Sequence, residues 1–115
     1  MAHALERASA YGLPHGEAVA LGLVAEAALA EELGIAAPGL GARIGAILTR
    51  LGLPVRLAPS LPPDTIVPAM ASDKKNRAQM IRFALPSTVG AMAASGEWTV
   101  AAPEVAIRKA LASIL

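Results

Sequence analysis

Cysteine is absent from the 115 residues of this chain, and the aromatic residues amount to one Trp, one Tyr and one Phe. Without cysteine the chain can form no disulfide, no thiolate metal site and no thiol nucleophile. So few aromatic rings offer little surface for stacking on bases, and a formal net charge of +1 creates no field that would gather nucleic acid. The composition therefore predicts that nucleic acid is not a partner.

Long apolar runs are also lacking. The longest, residues 18–30, is interrupted by Glu26 and is shorter than the roughly 20 residues that a membrane-spanning helix requires. The N-terminus has no basic segment followed by an apolar one, which is the pattern of a secretory signal peptide. These absences predict a cytoplasmic protein with no membrane partner.

Charged residues are scarce, at 17% of the chain against about 25% in typical globular domains. Apolar residues account for 55%, which leaves little polar material to cover a free-standing surface. A chain of this length has room for one domain with one core. We therefore expect a single domain, some of whose apolar surface meets a partner.

Hydrophobic spacing and helix-boundary residues predict a mainly α-helical fold. The predicted helices cover residues 2–10, 16–33, 40–51, 64–71 and 103–114. In the second of these, Val19 and Leu23 recur at helical spacing with two alanines further along, and Gly34 supplies a stop signal. No internal repeat and no linker long enough to divide domains is present.

Two parts of the sequence break the helical pattern. Residues 11–14 contain glycine and proline, which favour a turn between the first two helices. Residues 80–85 form a short bulky run bounded by proline, and residues 89–92 follow a turn, so these two segments predict a small β-hairpin. Met70, Met80 and Trp98 are predicted to be packing residues.

The two histidines, His3 and His15, are the first candidates for chemistry. On one continuous helix the 12 residues between them would separate their side chains by about 18 Å. The break at residues 11–14 changes this, because it lets His15 fold back towards the helix that carries His3. Two histidines are fewer than the three or four ligands of a zinc site, so spacing alone favours ordinary helix and loop roles for both.

Basic residues are concentrated in residues 73–77, which include Lys74, with Arg82 shortly after. Such a segment can hold a phosphate or carboxylate by point charge, and a desolvated lysine can transfer a proton. The alternative is a solvated charge run at a helix end. Glu6 and Glu17 are carboxylates near the histidines in sequence. The alternative to a functional role is that each is a charge that interacts with the helix dipole or an ordinary surface charge.

Six segments of the chain together resemble one known family. They are His3-Ala4-Leu5-Glu6, Tyr11-Gly12-Leu13-Pro14-His15-Gly16-Glu17-Ala18-Val19-Ala20, Leu51-Gly52-Leu53-Pro54, Asp73-Lys74-Lys75-Asn76, Ile81-Arg82-Phe83-Ala84-Leu85-Pro86 and Val89-Gly90. In order and spacing they resemble 3-dehydroquinate synthase and its sugar phosphate cyclase relatives. One tetrapeptide alone would be weak evidence, whereas six in register carry the resemblance over most of the chain.

The resemblance implies a fold and a chemistry. Family members join an N-terminal nucleotide-binding domain to a C-terminal helical domain, and this chain resembles the second. In the shikimate pathway such a lyase uses bound NAD to oxidise a seven-carbon sugar acid phosphate, which loses phosphate, is reduced again, opens and closes by an aldol step. Zinc or cobalt binds the substrate hydroxyls. By motif, His15 matches a metal ligand, and His3 and Lys74 match catalytic residues beside the substrate.

The sequence also departs from the family pattern. The family's other metal-binding histidine lies four residues before the position of His3, which falls upstream of Met1, and Ala2 replaces a glycine. The ligand glutamate and the NAD domain have no counterpart in this sequence. The resemblance therefore implies that the isolated chain has no synthase activity and binds metal weakly.

Two partners and two functions remain open at this point. The partner is either the N-terminal nucleotide-binding domain or a second copy of the chain, and we expect a homodimer in isolation with residues 4–10 at the contact. One function is that of an enzyme part, and the alternative is a free-standing, non-catalytic binding or scaffold module. The presence of His3, His15 and Lys74 in their motifs favours the enzyme part.

Overall fold

A computed structural model of the chain describes residues 1–58, 61–71, 80–93 and 98–115. Its helices and strands follow one another in this order: α1 (Ala2–Ala8), α2 (His15–Glu32), α3 (Leu40–Arg50), α4 (Pro63–Ala71), β1 (Met80–Phe83), β2 (Pro86–Thr88), β3 (Ala91–Met92), β4 (Val100–Pro103) and α5 (Glu104–Ala112). The mainly α-helical fold class predicted from the sequence is confirmed. Within the described ranges, no helix is both long and apolar enough to cross a membrane.

Helix α2 lies at the centre and packs against α1, α3 and α5. Small side chains make this possible, because most of its buried positions are alanine or glycine. A Cβ atom at Gly22 would lie 3.1 Å from the backbone nitrogen of Ala2, so glycine is what lets α1 approach α2 this closely. The close approach fixes where α1, and with it His3, lies over the central helix.

The end of α2 follows the stop signal in the sequence. Gly34 adopts a φ of 70°, which glycine reaches without the steric cost that a Cβ atom brings. Its N–H donates to the Glu31 carbonyl, and the next N–H, of Ile35, donates to the Ala30 carbonyl. These two hydrogen bonds form a Schellman motif, which satisfies carbonyls that the helix end leaves open.

The start of α3 depends on a side chain from α2. No side chain of α3 itself or of its N-cap residue accepts a hydrogen bond from the first N–H groups of this helix. Instead Gly39 N–H donates to Glu31 Oε2 (3.2 Å) and Gly41 N–H donates to Glu31 Oε1 (2.7 Å). A carboxylate at a helix N-terminus is also favoured by the helix dipole, so Glu31 joins the two helices.

Replacing Glu31 by alanine should therefore lower the free energy of unfolding by about 2 kcal/mol, since hydrogen bonds to a charged acceptor contribute about 1.5–3 kcal/mol. Urea denaturation measures the change. The matched control is Glu32→Ala, which removes an exposed ion pair with Lys109 (2.6 Å) that is worth at most about 1 kcal/mol. Equal effects of the two substitutions would contradict a capping role for Glu31.

The strands pair differently from the sequence-based prediction. Strand β1 pairs antiparallel with β4, with Met80 opposite Pro103 and Phe83 opposite Val100. The hairpin instead joins β2 to β3, and Gly90 between them has a φ of 84°. The prediction that residues 80–85 pair with residues 89–92 was therefore wrong, because it rested on local pattern and the true partner of β1 lies 17 or more residues further along.

The core is formed by apolar side chains from all five described helices, joined by residues of β1 and β4 and of the segment before β2. Its largest fully buried members are Leu5, Leu21, Leu29, Ile66, Leu85, Ile107, Leu111 and Ile114. Met70 is buried as predicted, whereas Met80 is 37% exposed and Trp98 is 94% exposed, so the prediction that these two are packing residues was wrong. Around the rim, Arg108 donates to Asp64 (2.6 Å) and Glu104 (2.7 Å), and these hydrogen bonds raise its pKa above the ordinary value.

Candidate functional site

The candidate site begins with the turn that joins α1 to α2. Helix α1 ends at Ala8, two residues earlier than predicted, and Ser9 is its C-cap residue. The Ser9 hydroxyl donates to the Glu6 carbonyl (2.9 Å) and accepts from Leu13 N–H (3.1 Å). Tyr11 N–H also donates to the Glu6 carbonyl, at 2.7 Å. The turn is thus closed by hydrogen bonds that converge on Glu6 and Ser9.

Two residues of this turn have unusual backbone conformations. Ala10 and Tyr11 adopt φ angles of 51° and 61°. These lie in the left-handed region, which is sterically unfavourable for residues that have a Cβ atom. Such conformations cost on the order of 1–3 kcal/mol each and persist where the surroundings enforce them. Here they reverse the chain within a few residues, after which Pro14, with φ of −57° and ψ of 142°, leads directly into α2.

The reversal brings the two histidines together. Helix α2 begins at His15, one residue before the predicted start, so its ring stands at the first turn of the helix. The ring centroids of His3 and His15 are 6.2 Å apart and the ring planes are inclined by 26°. The proximity that the break in the sequence predicts is therefore confirmed, whereas the metal and catalytic roles of these residues stay predictions.

Glu6 is the third member of the cluster. Its Oε1 lies 2.9 Å from His15 Nδ1. The Glu6 side chain is 15% exposed and the His15 side chain is 66% exposed, so the contact has a largely covered carboxylate on one side and an accessible imidazole on the other. The sequence predicts Glu6 as a carboxylate near the two histidines, with a helix-dipole or surface charge as the alternative. The usable signal was its i, i+3 spacing from His3, which places both on one face of α1.

The other predicted site residues are placed less completely. Lys74, the predicted catalytic lysine, lies outside the described residues, as does the whole of residues 73–77. Arg82 belongs to β1, where its guanidinium donates to the hydroxyl and the carbonyl of Thr99, each at 2.8 Å. Glu17 lies in the first turn of α2, where a carboxylate is favoured by the helix dipole.

The donor set can be compared with the needs of a metal ion. In residues 1–58, 61–71, 80–93 and 98–115, no group of three or more His, Asp or Glu side chains is arranged to hold one. His15 nevertheless has the chemistry of a single ligand, since metal-bound histidines characteristically use one ring nitrogen for the metal and the other for a carboxylate or carbonyl. The described residues therefore fit one ligand of a metal site and do not form a complete ligand set.

An exposed apolar stripe continues from His15 along α2. Val19 and Leu23 follow at i+4 and i+8, and their exposed fractions are 36% and 43%. The sequence grouped these residues with Ala27 and Ala30 on one helix face, but the two alanines are buried while the stripe of Val19 and Leu23 is open. Helix α2 packs through other positions, most of which are alanine or glycine, and this leaves Val19 and Leu23 uncovered.

The family of the chain follows from comparison with known sequences. A family model described as 3-dehydroquinate synthase C-terminal matches residues 1–76, which is more than half of the chain and includes the whole His3, Glu6 and His15 cluster. The chain belongs to the 3-dehydroquinate synthase family. The resemblance seen in the sequence motifs is thereby confirmed.

Relatives in the synthase family show how much of a complete enzyme this chain represents. It is 37% identical to the 3-dehydroquinate synthase of Synechocystis sp. over 89 residues, which are 76% of this chain and 25% of that protein. It is 42% identical to the Synechococcus sp. synthase over 89 residues, or 24% of that protein. The chain thus spans about a quarter of the length of the synthases that it matches.

Solved structures support the fold independently. A 2-deoxy-scyllo-inosose synthase in complex with carbaglucose-6-phosphate, NAD+ and Co2+ matches with a TM-score of 0.82 at 22% identity, over 99% of this chain and 33% of that one. A second structure of a 2-deoxy-scyllo-inosose synthase matches with a TM-score of 0.77. At this level of identity the likeness shows a shared fold.

Proposed function

We propose that this chain forms the C-terminal, substrate-facing part of a 3-dehydroquinate synthase-like enzyme. The observation that carries the proposal is the cluster of His3, Glu6 and His15, which the α1–α2 turn assembles inside the region that matches the family model. The substrate would be a sugar acid phosphate, cyclised with loss of phosphate. The reaction also requires NAD, which the nucleotide-binding part of the enzyme would bind.

Each residue of the chain has a distinct part in this proposal. His15 would hold zinc or cobalt through Nε2, because Nδ1 is engaged by Glu6. When bound, the metal would polarise the substrate hydroxyls as a Lewis acid. His3, 6.2 Å away, would contact the substrate or exchange a proton with it, a role for which imidazole is suited near neutral pH. Lys74 would bind an anionic group of the substrate by its charge.

The partner in this proposal is the nucleotide-binding part of the enzyme. The apolar stripe of Val19 and Leu23 supports it, because the stripe runs from His15 along the side of α2 that no described element covers fully. The earlier expectation of a contact at residues 4–10 is not supported at its start, because Ala4 and Leu5 are buried within the chain by their own packing. A homodimer of the isolated chain stays a prediction.

A hybrid enzyme tests the proposal. The chain is inserted into the Synechocystis synthase in place of the segment that it matches, and phosphate release from the synthase substrate is measured. We expect NAD-dependent and metal-dependent release by the hybrid and no release by the isolated chain, because positioning and hydride transfer need both parts.

Two results would contradict the proposal. One is phosphate release by the isolated chain above a protein-free control. The other is a hybrid that is folded by circular dichroism, binds NAD and yet releases no phosphate, which would favour a binding or scaffold module over an enzyme part.

A further inference from the structure

We infer that Glu6 is a positioning residue that fixes the tautomer and the orientation of His15. This rests on the proposed role of His15 as a metal ligand and adds the residue that prepares it for that role. The argument starts from the 2.9 Å contact between Glu6 Oε1 and His15 Nδ1.

Hydrogen-bond chemistry decides which nitrogen of His15 carries the proton. An ionised carboxylate only accepts hydrogen bonds, and a neutral imidazole has one N–H group. The short contact with Glu6 therefore requires the proton on Nδ1, which donates to Oε1. The lone pair is left on Nε2, the form in which a histidine can donate to a metal or accept a proton.

The backbone holds the Glu6 side of the contact in place. The Glu6 carbonyl accepts two hydrogen bonds, one from the Ser9 hydroxyl (2.9 Å) and one from Tyr11 N–H (2.7 Å). Its side chain is 15% exposed, which limits competition from water for the carboxylate. Glu6 is thus held at a point that the turn determines.

The His15 side is held less firmly by its own element. Its side chain is 66% exposed and lies in the first turn of α2, so packing alone does not determine the ring orientation. The contact with Glu6 supplies that constraint. The unusual backbone of Ala10 and Tyr11 has a consequence here, because the turn they form places α2 where its first side chain meets a carboxylate of α1.

Nuclear magnetic resonance of the 115-residue chain tests the inference without any metal. Long-range proton–nitrogen correlation spectra, recorded at pH 8.5, distinguish protonated from unprotonated ring nitrogens. We expect His15 to be protonated at Nδ1 in the unmodified chain. In Glu6→Ala the signal should shift towards a mixture of tautomers.

Two further variants separate positioning from a general structural effect. Glu6→Gln keeps a carbonyl oxygen that accepts from Nδ1, so it should retain the tautomer of the unmodified chain. Glu32→Ala removes a glutamate from the far end of α2, where it pairs with Lys109, and should leave His15 unchanged. In a zinc titration followed by the shifts of the His15 signals, the apparent Kd for zinc should be about 10- to 100-fold higher in Glu6→Ala, as expected when the carboxylate that orients a ligand is lost.

The inference is overturned if His15 of the unmodified chain carries its proton on Nε2, or if Glu6→Ala, folded by its amide spectrum, keeps the Nδ1 proton. It is equally overturned if Glu32→Ala changes the tautomer as much as Glu6→Ala does. The proposed function is tested separately, by phosphate release from the hybrid enzyme. Failure of the inference is therefore distinguishable from failure of the proposed function.

Discussion

Replacing His15 by alanine in the hybrid enzyme is expected to lower kcat/KM by about 1,000-fold or more and to reduce the cobalt content. A Lewis-acidic metal contributes several kcal/mol to transition-state stabilisation, and each 1.4 kcal/mol corresponds to a factor of ten in rate. His15 is proposed as one of few protein ligands of the metal, so its loss should weaken metal binding. Initial rates of phosphate release and metal analysis of the purified protein measure the two effects.

The same experiment needs a control that leaves the cluster intact. Arg50→Ala is suitable, because Arg50 is exposed in the last turn of α3, whereas the cluster belongs to α1 and α2. We expect it to change neither rate nor cobalt content by more than about twofold, as surface substitutions rarely alter stability by more than about 0.5 kcal/mol. A His15→Ala hybrid that retained cobalt and activity would remove His15 from the ligand set.

Leu21→Ala is expected to have the largest effect on stability, with a loss of about 3 kcal/mol. Leu21 is 1% exposed in the centre of α2, and leucine-to-alanine substitutions in cores cost about 2–5 kcal/mol through lost burial and the cavity that remains. Since domains of this size are stable by about 5–15 kcal/mol, the variant should unfold at clearly lower urea concentration. The slope of the transition should not change.

Leu23→Ala is the matched control for this substitution. Leu23 lies two residues further along the same helix but is 43% exposed, so the same change should cost less than about 1 kcal/mol in the isolated chain. Equal losses at the two positions would show that the stripe of Val19 and Leu23 is buried in solution. In the hybrid enzyme, by contrast, Leu23→Ala should weaken the packing of the inserted chain against the nucleotide-binding part, which the proposed contact at the stripe requires.

The parts of the fold that the sequence predicted well are those encoded locally. Gly34 ends α2 and Gly52 ends α3, with φ angles of 70° and 75°, because the signal and the structure that it causes occupy the same few residues. The turn at residues 11–14 was found for the same reason, since glycine and proline act on their own backbone. The proximity of His3 and His15 followed from that turn.

The parts that the sequence did not predict depend on distant partners. Strand β4 is short and rich in alanine, so its own sequence does not predict a strand. It is a strand because β1 pairs with it. The exposure of Val19 and Leu23 depends on which faces of α2 its three neighbouring helices occupy. Similarly, Glu6 and His15 are nine residues apart on different helices, so their contact exists only once the turn has formed.

The cap that Glu31 provides to α3 bears on the order in which the chain folds. A helix of this length is marginal alone, since its first turn is costly to nucleate. Because the acceptor for Gly39 and Gly41 belongs to α2, the N-terminus of α3 gains its cap only after the end of α2 is helical and the short connection has closed. Closing so short a loop takes well under a microsecond. The α2–α3 pair is thus a local, rapidly formed unit on which the more distant α5 and the β1–β4 pairing can assemble.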